Sequence, residues 1–472
     1  MTRKSMAHKS RTGLSRTGIL KTGFLKTGFL KTEPGRRLAA ALAAVAVLGV
    51  AGCGGSSGGS GGGGGKGDTT GVTATSVKIG AHYPLTGPAA PGYSKIGPAA
   101  KAFYDYVNDN GGVYGRKINF VYKDDSYNPA NTVSVTRQLV LQDKIFAMTG
   151  GLGTPTHTKV VDFLNQSKVP DLFVASGCIC WDEPDKHPYT YGWQSDYLRE
   201  GKVLGKYIAD KFAGKKIAYF YQDDDFGLDG MKGLDQFIPK DAVVTRQPYQ
   251  PGNTNIGPQL TAIAQAKADV VVSLSIPAYS ALLKLGTLKA GIKPQLVLSN
   301  VGSDPVTLGG LLEAYAKQGG TTVKGSELLE GIISDAYLPA YLGPDAESNS
   351  WVALFKKVND KYQPGTEFDG NVEYGMAQAY TFVQALQKAG QDLTREGLMK
   401  ALDGGGFTGP TLAPFGWGPD SHSGVTGVQV VKITGGVPVP DGPPMTTDAG
   451  SGPLTPVTTT PATAPANGIP TS

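Results

Sequence analysis

The residues best able to do chemistry in this 472-residue chain stand at the ends of two predicted strands. An apolar strand over 145–149 runs into Gly150-Gly-Leu-Gly-Thr154, and a second over 171–175 ends in Ser176-Gly177. In an open α/β sheet, small ligands bind outside the carboxyl ends of parallel strands. Two adjacent strand ends carrying Gly, Ser and Thr therefore form a shelf suited to an anion. Thr154 is placed to cap the following helix, with Pro155 at its first position, where a missing N–H costs nothing. The exposed N–H groups and the helix dipole would then face a carboxylate. An ordinary capped strand-to-helix turn is written with the same letters. No Gly-Lys-Ser/Thr follows, which argues against a nucleotide-phosphate loop.

Other candidates for chemistry are weaker. Asp223, Asp224 and Asp225 are the densest carboxylates at a strand end, and without a nucleophile beside a base they read as solvated or capping groups. No catalytic residue is assigned. Cys178 and Cys180 flank Ile179, and the five histidines (His8, His82, His157, His187, His422) form no ligand-spaced pair with them. No metal site and no cofactor is therefore expected. A tight local disulfide and two reduced thiols both remain open for this pair, and bridging across i, i+2 requires a turn at Ile179. Trp181, Trp193, Tyr197 and Tyr279 could line a pocket or serve as core.

Alternating strand and helix patterns position these residues. Strands are predicted over 77–83, 118–122, 145–149 and 171–175, with helices over 95–108 and 132–142 between them. A second series runs from a helix over 197–212 through strands at 217–221, 242–245, 270–274 and 295–298, with helices over 230–237, 256–266 and 279–290. Such βαβα order implies parallel sheets covered by helices on both faces, so the fold class is α/β. Two series of similar size argue for two lobes with a cleft between them. A strand over 331–337 and helices over 350–362 and 371–389, with a short one from 394, should complete those lobes.

Charge and composition narrow the function. The net charge of +5 is misleading, because ten Lys/Arg and one acid precede Leu38, which leaves 34 bases against 38 acids in the rest. A nucleic-acid footprint is not supported. Residues 11–32 repeat a five-residue unit (Arg-Thr-Gly-Leu-Ser, Arg-Thr-Gly-Ile-Leu, then Lys-Thr-Gly-Phe-Leu twice). Arg36-Arg37 then precede an apolar run over 38–50, which closes on Val50-Ala51-Gly52-Cys53. Charge, a short apolar core and small residues before a cysteine are the parts of a bacterial lipoprotein signal, and the run falls short of the roughly 20 residues of a membrane span. Lipidation of Cys53 would place the chain outside the cytoplasm, on the outer face of the cell membrane. The Gly/Ser stretch that follows, 54–67, suits a flexible tether. The Pro/Thr-rich end, 437–472, is expected to be disordered.

The folded part resembles the leucine/isoleucine/valine-binding family of ABC-importer solute receptors, which has the type I periplasmic binding protein fold. The resemblance covers about 77–434 and rests on Ile79-Gly80, Pro84-Leu-Thr-Gly-Pro88, Asn108-Asp-Asn-Gly-Gly-Val-Tyr-Gly-Arg116, Tyr122-Lys-Asp-Asp125, Gly150-Gly-Leu-Gly-Thr154, Tyr221-Gln-Asp-Asp-Asp-Phe-Gly227, Tyr374-Gly375 and Phe407-Thr-Gly-Pro410. It implies three hinge crossovers, near Trp193, 331–335 and 409–414. The domains are then a leader (1–52), the lipidated Cys53 with its linker (53–73), lobe I (74–194 and 333–410), lobe II (195–332 and 411–436) and the tail (437–472). Carried over, the carboxylate shelf falls on Thr154 and on Ala175, Ser176 and Gly177. Tyr93 and Phe226 fall where aromatics line the ligand. The family's acidic partner for a ligand ammonium falls on Asn300, which has no charge. Asp196, Asp223 or Asp224 would have to replace it, or else the ligand lacks an ammonium.

The resemblance implies a solute-binding lipoprotein that closes on a small ligand and delivers it to ABC permease subunits. The ligand classes it admits are a branched-chain amino acid, an amide and an organic acid, aromatic acids included. The absent charge at Asn300 favours the last two. A ligand-sensing receptor domain and a cleft enzyme are the rival readings.

Overall fold

The computed structural model describes residues 67–471. The repeat leader, the apolar run and Cys53 lie outside the described residues. Two sheets organise the chain. The first is parallel throughout, with strands β1 (Ser76–Tyr83), β2 (Lys117–Asp124), β3 (Ala147–Thr149), β4 (Asp171–Val174) and β5 (Thr190–Gly192) in the order β2-β1-β3-β4-β5. The second contains β6 (Ile217–Gln222), β7 (Val243–Tyr249), β8 (Val270–Leu274), β9 (Gln295–Leu298), β10 (Ile333–Ala336), β11 (Gly427–Thr434), β12 (Val437–Pro440), β13 (Met445–Thr446) and β14 (Thr455–Pro456). Its order is β14-β13-β11-β10-β9-β8-β6-β7, with β12 on β11, and the pairs from β10 to β14 include the antiparallel ones. The central strand β8, Val-Val-Val-Ser-Leu, is buried at every position, as expected of a parallel strand covered on both faces.

Local signals set most element ends. Helix Asp225–Leu234 starts five residues before the predicted 230 because Asp224 accepts the N–H of Phe226 as its cap. Helix Pro305–Gln318 was not expected, although Asp304 and Pro305 form a readable start signal, with Asp304 Oδ1 accepting the Thr307 N–H at 2.8 Å. Helix Gly370–Ala389 is capped by Asp369 and buried along 371–386, so it is a core helix with no solvent face. It packs on helix Ile96–Asp109 so closely that a Cβ on Gly375 would stand 2.4 Å from the Ile96 carbonyl. Helices Tyr197–Lys211 and Asp225–Leu234 meet in the same way, backbone to backbone, at Gly201 and Gly233.

The chain crosses between the sheets after β5, after β10 and between Asp403 and Gly427, and the crossovers bond to one another. Leu412 N–H donates to Tyr337 O and Val425 N–H to Trp193 O, both at 2.9 Å. One expected boundary is corrected. Lobe I was expected to resume at 333, yet β10 pairs with β9 and β11, because the strand must finish the second sheet before the chain can leave it.

The tail is the larger correction. It was expected to be disordered, but 437–471 forms β12, β13 and β14 on the second sheet and then reaches the first lobe. There Trp351 Nε1 donates to Ala462 O (2.6 Å), Ala464 N–H to Ser350 Oγ (2.9 Å) and Tyr106 OH to Asn467 O (2.5 Å). Proline removes helix and ladder donors but leaves the carbonyls, and side-chain donors of both lobes use them.

Candidate functional site

A cavity of about 260 Å³ lies between the two sheets at the carboxyl ends of their parallel strands. The first lobe contributes the shelf. After β3 the chain turns through Gly150 (φ 74°) and Gly153 (φ 105°), backbone that favours glycine, into the short helix Thr154–His157. Gly153 is the residue before this helix and Thr154 its first, one position later than the capping role expected for Thr154. The Thr156 hydroxyl turns back to the Leu152 and Gly153 carbonyls, which fixes the glycine turn and leaves Thr154 Oγ1 for the cleft. Thr154 Oγ1 lies 2.7 Å from Ser176 Oγ and 3.5 Å from Tyr197 OH. Three hydroxyls thus converge, and each can donate or accept as a ligand requires.

Of the residues expected in the site, Tyr93, Thr154, Ala175, Phe226 and Asn300 line the cavity. Ser176 bonds to Thr154 and is not among the residues lining this cavity; with Gly177 it lines a second cavity of about 250 Å³ behind the shelf. Gly177 O accepts the Tyr197 N–H at 2.7 Å, and Tyr197 packs on Phe226 with centroids 4.4 Å apart. Among the aromatics singled out, Tyr197 lines the main cavity and Trp181 the second, whereas Trp193 and Tyr279 are core. Cys178 and Cys180 are joined in a disulfide, with Cα atoms 5.1 Å apart across the single turn Ile179–Trp181. The Ile179 N–H beside it donates across the cleft to Asp229 Oδ2 at 3.1 Å.

Further bonds tie the two lobes together. Tyr93 OH donates to Val301 O at 2.7 Å, and Gln222 Nε2 donates to Tyr127 OH at 3.2 Å. Tyr127 and Tyr374 also line the cavity, and both were missed as site residues, although Tyr374-Gly375 stood out in the sequence.

The acids of the site are the main surprise. No lysine or arginine is among the residues lining the cavity, but Asp335, Asp304 and Glu373 are. Asn300 rests on a buried carboxyl pair. Its backbone N–H donates to Glu200 Oε1 (2.9 Å) and Asp335 Oδ1 (3.2 Å), and its Nδ2 donates to Asp335 Oδ2 (2.8 Å). Burial pushes the Asp335 carboxyl up to about 6, and burial with the charge of Asp335 pushes Glu200 well above the carboxylate range. Glu200 Oε2 has no donor, which suits a proton held there. Burial raises Glu373 as well, and its Oε1 is also without a donor.

The three aspartates expected to stand in for the absent charge lie elsewhere. Asp196 caps helix Tyr197–Lys211 and pairs with Arg199, Asp223 is exposed against Gln250, and Asp224 is held by Gln222 and the Phe226 N–H. No sequence signal joins Glu200 to Asp335, because only folding brings helix Tyr197–Lys211 against β10. Among the described residues no cluster of His, Cys, Asp and Glu has metal-holding geometry, and no helix is long and apolar enough to cross a membrane.

The sequence profile of the periplasmic binding proteins matches residues 76–437. The chain is 29% identical to an amino acid binding protein of Pseudomonas aeruginosa over 32% of its own length and 40% of that protein's. It therefore spans less than half of that relative. It is 23% identical to Leu/Ile/Val-binding protein homolog 2 of Brucella abortus over 68% of itself and 81% of the homolog. Among solved structures, the fatty acid ABC transporter substrate-binding protein of Thermomonospora curvata aligns with a TM-score of 0.67 at 22% identity, covering 81% of this chain and 95% of that one. A branched-chain amino acid ABC transporter protein of Thermus thermophilus with bound valine gives 0.68 at 20%, covering 80% and 98%. These structures share the two-lobed fold. The chain belongs to the periplasmic binding protein family, a family of solute-binding proteins and not of enzymes.

Proposed function

We propose that this chain is the extracytoplasmic receptor of an ABC importer, anchored through a lipidated Cys53, and that it binds a small amino acid with an apolar or aromatic side chain. The observation that carries the ligand class is the carboxyl pair under Asn300, opposite a shelf of hydroxyls in a cavity without basic residues. A zwitterion matches both ends. Its carboxylate would meet the hydroxyls of Thr154 and Tyr197, its ammonium Asp335, and its side chain Tyr93, Tyr127 and Phe226. The physical reason for favouring an ammonium-free organic acid or amide was the lack of an acid near Asn300, and Asp335 removes that reason. Leaving a buried ammonium without a carboxylate partner would cost about 3–5 kcal/mol, so a carboxyl at that place supports an amine-bearing ligand.

Calorimetry with leucine, valine, phenylalanine, simple amides and aromatic carboxylates tests the reading. Expected is binding of a free amino acid, abolished by N-acetylation of its amine. Tight binding of a carboxylate without an amine would overturn the ligand class. Thr154→Ala removes a hydrogen bond to a charged group, worth about 1.5–3 kcal/mol, and should weaken that ligand roughly 10- to 150-fold. An unchanged affinity would remove Thr154 from the site. For the anchor, Cys53→Ser should release the protein from the membrane fraction into the medium, and retention would argue against lipidation.

A further inference from the structure

Behind the shelf, four buried side chains form one hydrogen-bonded line. Asp125 Oδ2 lies 2.7 Å from His82 Nδ1, His82 Nε2 lies 2.9 Å from His157 Nδ1, and His157 Nε2 lies 2.9 Å from Asp171 Oδ2. None of the four has any solvent exposure. The ends are pinned by hydroxyls, with Thr132 donating to Asp125 Oδ2 and Thr190 to Asp171 Oδ2, each at 2.9 Å. Asp125 Oδ1 also accepts the N–H of Tyr127, a cavity residue. Gly151 of the shelf sits on the junction of the two rings. A Cβ there would stand 2.6 Å from His157 Nδ1 and 2.7 Å from His82 Nε2. His157 closes the same short helix that Thr154 opens.

A hydrogen bond needs one proton between its two heavy atoms, so three contacts need three protons. Two neutral imidazoles supply two. We propose that the Asp125–His82–His157–Asp171 line holds a third proton shared between the two rings, and that this proton positions the Thr154 shelf. With two protons, either two ring lone pairs oppose each other at 2.9 Å or a lone pair faces a carboxylate. With four, two N–H groups collide. The third proton also places a positive charge between two buried carboxylates, which lowers the cost of burying both.

Burial pushes His82 down from the ordinary imidazole range, against the upward pull of Asp125. The charges facing His82 are Asp125 from the loop after β2, His157 from the short helix and Asp171 from β4. The uncharged ring of Trp181 also faces His157, edge-on at 5.2 Å. Because the positioned state binds the proton, the shelf is in place below the pKa of the line and is disturbed as pH rises through it. The rings must then part, and a single helical turn transmits the movement of His157 to Thr154 and its contact with Ser176. His82 and His157 are positioning residues here.

The test is nuclear magnetic resonance on the ligand-free full chain labelled with nitrogen-15 at histidine, glycine and threonine. Expected at neutral pH are three slowly exchanging ring N–H protons on His82 and His157, assigned by their loss in His82→Gln and His157→Gln. On raising the pH, the amide resonances of Gly151 and Thr154 should shift with the same midpoint as the rings. Two ring protons instead of three would overturn the proton count. Three protons with Gly151 and Thr154 silent until the protein unfolds would overturn the positioning role. Asp125→Asn keeps the shape of the line while removing one flanking charge, and serves if the histidine variants do not fold. It should lower the midpoint by about one pH unit or more, and an unmoved midpoint would overturn the proposal.

Discussion

Asp335→Asn is expected to make this protein more stable above neutral pH, and to weaken its hold on an amine-bearing ligand. Asp335 is 3% exposed, so burial disfavours its ionised form and, against the downward pull of hydrogen bonds from Glu200 and Asn300, pushes its pKa from 3.8 up to about 6. A carboxyl whose folded-state pKa is raised binds its proton more tightly in the folded chain than in the unfolded one. Its stability contribution is therefore fully present below about pH 4 and is lost as pH rises through about 6. A rise of two units corresponds to about 3 kcal/mol. Asparagine cannot ionise, and the Asn300 amide can turn over to accept from it, so the variant keeps a side-chain bond and avoids the penalty. Urea unfolding at pH 5 and pH 8 measures the effect as the difference between wild type and variant. Asp224 is also pushed up to about 6 by burial, so the variant should retain a smaller loss of its own between those pH values. Parallel behaviour of the two proteins would show that Asp335 is not the strained group. The conflict between stability and binding is what a functional carboxyl should show, since an ion held for a ligand is unsatisfied until the ligand arrives.

How much of this was legible in the sequence depends on how local each signal is. The βαβ alternation, the glycine turn at 150–154 and the order of motifs from Ile79 to Pro410 are local or nearly so, and they fix the two-lobed fold and five of the residues lining the cavity. Thr154 could be placed because it closes the glycine turn, and Tyr93 because the resemblance puts an aromatic there. The acid pair could not be. Asn300, Glu200 and Asp335 belong to three distant segments, and each taken alone reads as an ordinary polar residue near an element end. His82 and His157 illustrate the same limit, because no ligand-like spacing joins them and a parallel sheet is needed to bring β1 beside β3. The tail misled for a different reason. Low apolar content predicts that a segment cannot form its own core, but it does not predict whether an existing core offers donors for its carbonyls.

Lys202→Met is expected to release that tail. The Lys202 side chain has no solvent exposure, and its ammonium donates at 3.0 Å to the Asp448, Gly450 and Gly452 carbonyls and to Asp448 Oδ1. Its hydrogen bond, helped by its charge, holds the Asp448 carboxyl below the usual carboxylate range. Methionine fills the same space with no donor, so four acceptors on a segment with little apolar surface lose their partner at once. Asp448 is 58% exposed and can rehydrate, which reduces the loss to about 2 kcal/mol from the larger cost of breaking a fully buried pair. The consequence should reach both lobes, because the segment that begins on the second sheet ends on Trp351 and Tyr106 of the first. Hydrogen exchange should therefore rise across 445–468 in Lys202→Met. In Trp351→Phe, which removes the donor to Ala462 together with part of a buried ring, it should rise from about Ala462 onward while the loop around Lys202 stays protected. Small-angle scattering should then detect a wider spread of lobe separations in Lys202→Met, since one tie between the lobes is lost. Unchanged exchange over 445–468 in Lys202→Met would mean that the strands and the other side-chain contacts hold the tail, and that the buried ammonium fastens nothing.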